Sequence, residues 1–541
     1  MSAVTDPIGP TTADQDASTG LTYPRTIRDG MLLAIVFFSG MTVLGVELTA
    51  SRLLAPFYGN NLFVWANVIG LVLLYLTAGY YVGGRIADRR PDDRLLLRLV
   101  AVAAFTIGLV PLFAKPILEL STKAFSGLSL GVFWGSLFGV LLLLAIPITI
   151  LGFVSPFAIR LSTANVKTAG ANAGRIYALG TLGSILGAFL PVLLLVPNIG
   201  TRNTFLAFAL VLLVLTVAGL KSWRFLILLG LLVAITVLVN VRPETIRAAE
   251  RGRLLYEEES VFNFIQVQET SMGVRHLVLN EGLATHSVFY PGRETQPLSE
   301  GPWDYFLLAP QFRKDHPGQV ENALIVGLGT GTVSKLYHQV YGEATYIDGV
   351  EIDPQIIQVG RDLFDLNEPN LNAVAEDGRY FLRRTDRIYD VVAVDAYRQP
   401  YIPFQLTTRE FFAEIQARLK ADGVVAVNAG RAPNDFRLVE ALSRTMRSVF
   451  PTVFVIDLPA GYLNSLIFAS NSLISIDDAA RRLANTDNAT IQAIANRGIN
   501  IRAVESSEGA FTDDLAPVEQ VIHQMILGVA QSGDSSVNTA R

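Results

Sequence analysis

Ala323-Leu324-Ile325-Val326-Gly327-Leu328-Gly329-Thr330-Gly331 is a short apolar run that ends in three glycines at alternate positions. A bounded run rich in branched residues reads as a buried strand, and the residues after Gly331 take up helical spacing. Glycines at such a turn let the backbone approach a ligand closely, while the helix N-terminus favours an anionic group. The unit then repeats. Segments 345–352, 390–394 and 424–427, with a further strand before Glu376, read as parallel strands separated by amphipathic helices. The expectation is a Rossmann-like α/β domain over 322–528. Just upstream, 262–268 and 275–280 alternate polar and apolar residues around Gly273, which suits a hairpin in a small β-rich region.

The N-terminal half is different. Over the whole chain of 541 residues, 51% are hydrophobic and 17% charged, and the apolar excess lies before residue 242. Seven runs of spanning length recur, at about 31–50, 62–84, 95–114, 130–152, 174–196, 204–220 and 223–241. Soluble helices do not stay apolar all round in such succession, so the expectation for 25–242 is a multispanning helical membrane bundle. Residues 1–24 and 529–541 read as disordered tails, and 243–321 as a linker or surface helix followed by the β-rich region. The linker reading rests on Pro243 and the charges Glu244, Arg247, Glu250, Arg251 and Arg253.

Arg85, Arg89, Arg90, Arg94 and Arg98 form the strongest basic bias among the loops, with Arg160, Lys167 and Arg175, and then Lys221 and Arg224, marking the next loops on that side. By the positive-inside rule these face the cytoplasm. Seven spans then leave residue 242 onward outside, whereas a cytosolic nucleoside cofactor favours a cytoplasmic domain. The latter is the expectation, with 115–129 as the place where a span is miscounted or re-entrant. Glu47, inside the first span, is either functional or paired with Arg52. Gly180, Gly183 and Gly187 suit close helix packing. The Gly83 to Arg90 loop resembles the short basic loop of major-facilitator transporters, a feature that also serves as a plain topological anchor. A net charge of −5 gives no basic field for nucleic acid, and the absence of cysteine excludes disulfides, thiolate metal sites and cysteine nucleophiles. No metal site is expected.

Glu351 ends the second strand 20 residues after Gly331, where a carboxylate can accept hydrogen bonds from both ribose hydroxyls. That pair of features fits a dinucleotide equally well. Glu376-Asp377-Gly378 after the third strand and Asp395 after the fourth separate the options. An acid able to reach an adenine amine, with another facing the reacting group, is the layout of adenosylmethionine-type transferases. For each acid the bland alternative is a helix N-cap or a solvated loop residue.

With these residues in place, roughly 256–470 resembles the spermidine synthases, and more closely their membrane-fused relatives. The resemblance rests on 260–267, Leu279-Asn280-Glu281-Gly282, the glycine loop, Val350-Glu351-Ile352-Asp353, Glu376-Asp377-Gly378 and Val394-Asp395. It implies a class I methyltransferase-type fold and aminopropyl transfer from decarboxylated S-adenosylmethionine to a putrescine-like amine. In these terms Gly327, Gly329, Gly331, Glu351, Asp377 and Gly378 would hold the nucleoside, and Asp395 would be the general base. Asn263 and His286 stand where the family commonly has glutamines; these two, with Tyr397, are candidate substrate contacts. The family is commonly dimeric, so a homodimer is implied as well.

The sequence also departs from the family. Ala396, Tyr397 and Arg398 replace the usual Ser-Ser-Asp, and Pro302, Trp303 and Asp304 fall where a Tyr-His-Glu motif lines the amine pocket. Asp514, in Thr512-Asp513-Asp514, is a candidate replacement for the lost amine-holding acids; the bland account is a helix start. Two other functions stay open: methyl or alkyl transfer from intact S-adenosylmethionine to another acceptor, and a transporter-like protein whose nucleotide domain senses adenosyl compounds without turnover.

Overall fold

The computed structural model describes residues 29–59, 62–125, 131–163, 168–241, 245–282, 284–292, 298–396, 402–459 and 461–532. The N-terminal half is a helical bundle: α1 (Asp29–Tyr58), α2 (Leu62–Arg89), α3 (Asp93–Phe125), α4 (Gly131–Gly152), α5 (Val154–Ser162), α6 (Ala169–Leu190), α7 (Val196–Leu220) and α8 (Trp223–Val241). Among the described residues, six helical stretches are long and apolar enough to cross a membrane. The sequence reading counts seven because it separates 174–196 from 204–220, which here belong to one 52-residue run, Ala169–Leu220. That run nevertheless turns back on itself. A widened turn at Pro191–Leu195 is followed by Gly200 at φ 76°, outside helical geometry.

Close glycine contacts give the directions. A Cβ placed on Gly183 would sit 2.0 Å from the Phe37 carbonyl oxygen, and one on Gly187 2.1 Å from that of Met41, so α6 runs parallel to α1. Along α7 the order is reversed: Gly45 of α1 meets Phe208, Gly108 of α3 meets Ala209, and Leu97 meets Gly219. Asn203 and Asn240 exchange amide hydrogen bonds of 3.1 and 3.0 Å, which brings α8 back antiparallel to α7. The segment 115–125 continues α3 without a re-entrant turn; the rest of 115–129 lies outside the described residues. The bundle's outward surface is apolar, with Leu73, Leu74, Phe113, Leu193 and Val237 exposed. Such a surface is stable in an apolar surrounding and unfavourable in water.

Residues 245–252 form neither a surface helix nor a free linker. Arg247 is buried there, donating to the Pro56 carbonyl at 2.8 Å, to Gln266 at 3.1 Å and to the Asn280 carbonyl. It fastens the end of α1 to an antiparallel sheet of β1 (Arg253–Glu259), β2 (Phe264–Glu269), β3 (Arg275–Leu279) and β4 (Thr285–Phe289), in that order. The expected hairpin is β2–β3; β1 is an added strand.

The second sheet has eight strands. β5 (Asn322–Val326), β6 (Tyr346–Glu351), β7 (Leu371–Ala375), β8 (Tyr389–Val394) and β9 (Leu419–Gly430) are parallel, and β10 (Thr452–Asp457), β11 (Asn464–Ser470) and β12 (Asn500–Ala503) are antiparallel. The order is β12-β10-β11-β9-β8-β5-β6-β7. Apolar residues on both faces of this sheet are covered, one face by α11 (Gly378–Arg384), α12 (Arg409–Gln416), α13 (Arg437–Arg447) and α16 (Val518–Ser532). The other face carries α9 (Thr332–Tyr341), α14 (Ile476–Ala484) and α15 (Ala489–Ala495), while α10 (Pro354–Leu363) packs against β2 and β3. From β5 the chain winds outward through β6 and β7 and then returns to β8 on the opposite side of β5. Ligands bind at that switch point, beyond the C-terminal ends of the strands.

Candidate functional site

The glycine turn and Asp395 meet at the β5/β8 switch point. Gly327, at φ 90°, lies so close to the end of β8 that a Cβ there would sit 2.6 Å from the Asp395 carbonyl oxygen. Gly331, at φ 93°, caps α9. Between them the Gly329 amide donates to Glu351 at 2.9 Å, and the same carboxylate accepts from the Asp353 amide at 3.2 Å. Burial nonetheless pushes the Glu351 carboxyl up to about 7, the backbone donors pulling the other way.

Asp395 follows β8 in a largely enclosed position. Trp303 Nε1 donates to its Oδ2 and Asn428 Nδ2 to its Oδ1, both at 2.9 Å. Asn464 in turn donates to Asn428 Oδ1 at 2.9 Å, which fixes the Asn428 amide. Burial pushes the Asp395 carboxyl up to about 7 against these two donors. A carboxyl poised near neutrality can hold or release a proton at working pH.

The other expected residues divide. Asp377 Oδ1 accepts from the Arg379 and Tyr380 amides, both at 3.0 Å, so it caps α11, with Oδ2 turned away from that bond. Gly378 is packed against Val326, where a Cβ would come within 2.5 Å. Asn263 is spent inside the protein: its amide donates to Asp353 at 3.0 Å and accepts from Asn280 at 3.1 Å. His286 is half-buried on β4 with both ring nitrogens out of solvent, and burial lowers it to about 4 against a backbone hydrogen bond at Ala284, so the ring is neutral at physiological pH. Its backbone passes beside Gly329. Tyr397 and Arg398 lie outside the described residues.

Asp514 is exposed, and among the described residues no hydrogen bond or ion pair connects it to Asp395 or Glu351. Its neighbour Asp513 instead pairs with Arg379, both oxygens at 2.8 Å, and accepts from Thr408 at 2.7 Å. That segment is a strap holding α11. Asp304, at the position of a family amine-pocket acid, is buried against Arg497 at 2.8 Å and Ser299 at 2.6 and 2.7 Å.

Trp303 and Asn428 are the partners of Asp395 that the sequence reading did not assign. Asn428 stood one residue beyond the strand read at 424–427, on the ligand-binding edge, and the strand-end rule could have found it. Trp303 lies 92 residues from Asp395 in sequence, and no local signal joins them.

The spermine/spermidine synthase domain family matches residues 310–475. A Bifidobacterium longum protein described as "Probable polyamine aminopropyl transferase" is 30% identical over 302 residues, 52% of this chain and 64% of that protein. A polyamine aminopropyltransferase of Vibrio vulnificus is 30% identical over 179 residues, 32% of this chain and 58% of that one. This chain therefore spans less than two thirds of the length of these relatives. Among solved structures, a probable spermidine synthase from Corynebacterium glutamicum overlaps with a TM-score of 0.38 at 18% identity, covering 49% of this chain and 96% of that one. Residues 310–475 of the α/β half thus match the spermine/spermidine synthase domain family, and the two relatives above are described as polyamine aminopropyltransferases, which are transferases, while a 35% identical relative from Emericella nidulans, matched over 28% of each chain, is described as an N-terminal histidine N-methyltransferase.

Proposed function

We propose that the α/β domain transfers an aminopropyl group from decarboxylated S-adenosylmethionine to a small amine, carried by a bundle embedded in the lipid bilayer. The observation that carries this reading is Asp395, enclosed at the switch point beside the glycine turn and poised near neutral pH by burial. Glu351 and the glycine turn would hold the nucleoside, with ribose hydroxyls joining the Gly329 amide around the Glu351 carboxylate; Asp377, through the oxygen it does not use as a cap, would meet adenine. The ammonium form of the acceptor gives its proton to Asp395. The freed amine lone pair forms a bond to the aminopropyl carbon beside the sulfonium, that carbon–sulfur bond breaks, and methylthioadenosine leaves with the electron pair. Because the sulfonium is already a good leaving group, positioning and deprotonation of the amine are the protein's main tasks.

One observation favours a second reading. Trp303 covers Asp395 and Asp304 is committed to Arg497, so the acids expected to attract a polyamine are not free. An alkyl transferase acting on a less cationic acceptor fits that pocket.

The test uses the full chain in detergent, with calorimetric binding of S-adenosylmethionine, its decarboxylated form and methylthioadenosine, and turnover of the Asp395→Asn variant. The expected result is preference for the decarboxylated donor and putrescine-dependent release of methylthioadenosine, lost by about 10²–10⁴-fold in the variant. Preference for the intact donor with alkyl transfer replaces this reading with the second, and no binding by the folded protein removes both.

A further inference from the structure

We propose that the α/β domain stands on the membrane face away from the cytoplasm, so that its donor and its acceptor are met on that face. The inference rests on which ends of the bundle carry which groups. At one end lie the turn between α2 and α3, the end of α5 and the turn between α7 and α8; Arg160 reaches Asp88 at 3.3 Å, which confirms that the first two share that end. This end holds Arg85, Arg89, Arg90 and Arg94, then Arg160 and Arg175, then Lys221 and Arg224. At the other end lie the end of α1, the last turns of α3, the Gly200 reversal and the end of α8.

Hydrogen bonds that tie the bundle to the α/β domain lie at that second end. Lys115 donates to the Thr245 carbonyl at 2.8 Å, Arg247 to that of Pro56 at 2.8 Å, and the Thr201 amide to Glu259 at 3.1 Å. The cations placed there are few among the described residues, Arg52, Lys115, Lys123 and Arg202, with Arg242 following α8 in the sequence. Of these, Lys115 and Arg52 are turned onto backbone carbonyls of the α/β domain.

Short basic loops resist transfer across a membrane that is negative inside, and they are attracted to anionic lipid headgroups on the cytoplasmic leaflet. The basic end is therefore cytoplasmic. The reversal at Gly200 makes the number of crossings odd and places the α/β domain opposite. The supply of adenosyl compounds favours the other orientation, but that consideration comes from metabolism and the charges belong to this chain. If the transfer proposed above is also correct, both reactants are cations that do not cross an apolar layer unaided, and carrier-mediated transport must come before the reaction.

The chain has no cysteine, so single cysteines report sidedness without background. Met272→Cys lies at the exposed turn between β2 and β3, and Ser222→Cys in the turn between α7 and α8. Neither removes a loop charge or a site residue. In intact spheroplasts expressing the full chain, a membrane-impermeant maleimide is expected to label Met272→Cys and to spare Ser222→Cys, with both labelled after permeabilisation. The reverse pattern, or labelling of both in intact spheroplasts, overturns the proposal. Labelling reads sidedness with no turnover involved, so failure here leaves the transferase reading standing, and failure of that reading leaves this one.

Discussion

Asp395 shows how enclosure and two hydrogen bonds set the protonation of one carboxyl. Enclosure raises it from an ordinary value of 3.8 to about 7, while Trp303 and Asn428 hold it down by donating to its charged form. The native state binds this proton more tightly than the unfolded chain does. The stability Asp395 contributes is thus fullest at low pH and is lost as pH rises through about 7. Trp303→Phe keeps the ring and removes the N–H. The limb of kcat/KM that reports Asp395 ionisation is expected to move to higher pH, with activity at high pH retained. A pH–rate profile checks this, and an unmoved limb would mean that the indole only fills space.

At the level of elements, small residues and turns decide which helices touch. Gly183 and Gly187 let α6 lie against the backbone of α1, and Gly200 lets α6 and α7 double back within one hydrogen-bonded run. Gly183→Leu is expected to lower the thermal midpoint of the detergent-purified protein by overpacking worth about 1–3 kcal/mol or more. Gly170→Leu on the same helix, where nothing lies within 4 Å, should leave it unchanged. Equal midpoints for the two would remove α1–α6 packing as the bundle's organising contact.

Across the whole molecule, the bundle is wired to the glycine-turn site that carries Glu351. Arg52 at the end of α1 donates to the Ser260 and Val261 carbonyls; Ser260 and Asn263 both donate to Asp353, whose amide donates to Glu351. Arg52→Ala is expected to weaken methylthioadenosine binding by the full chain on the order of tenfold, with partial recovery in Arg52→Lys, which restores one donor but not the fork. Calorimetry reads both, and wild-type affinity in Arg52→Ala would show that the two halves share a chain without sharing energy.

The local code of the α/β half is legible in the sequence. Val326-Gly327, Glu351, Asp377 and Asp395 all end up at strand C-termini because strand period, glycine turns and acids after strands are properties of consecutive residues. The long apolar helices were legible too, since length and hydropathy are summed along the chain. Other features were settled only by tertiary contacts. These include the choice of Trp303 and Asn428 to hold Asp395, the use of Asp513 on Arg379 with Asp514 left in solvent, the burial of Arg247 in a stretch that looks like a charged linker, and the reversal of direction between α6 and α7 at Gly200. In each case the deciding partner lies far away in sequence or across an interface. A side chain's charge and size are written locally, but whether it is desolvated, paired or left in water depends on what folding brings against it.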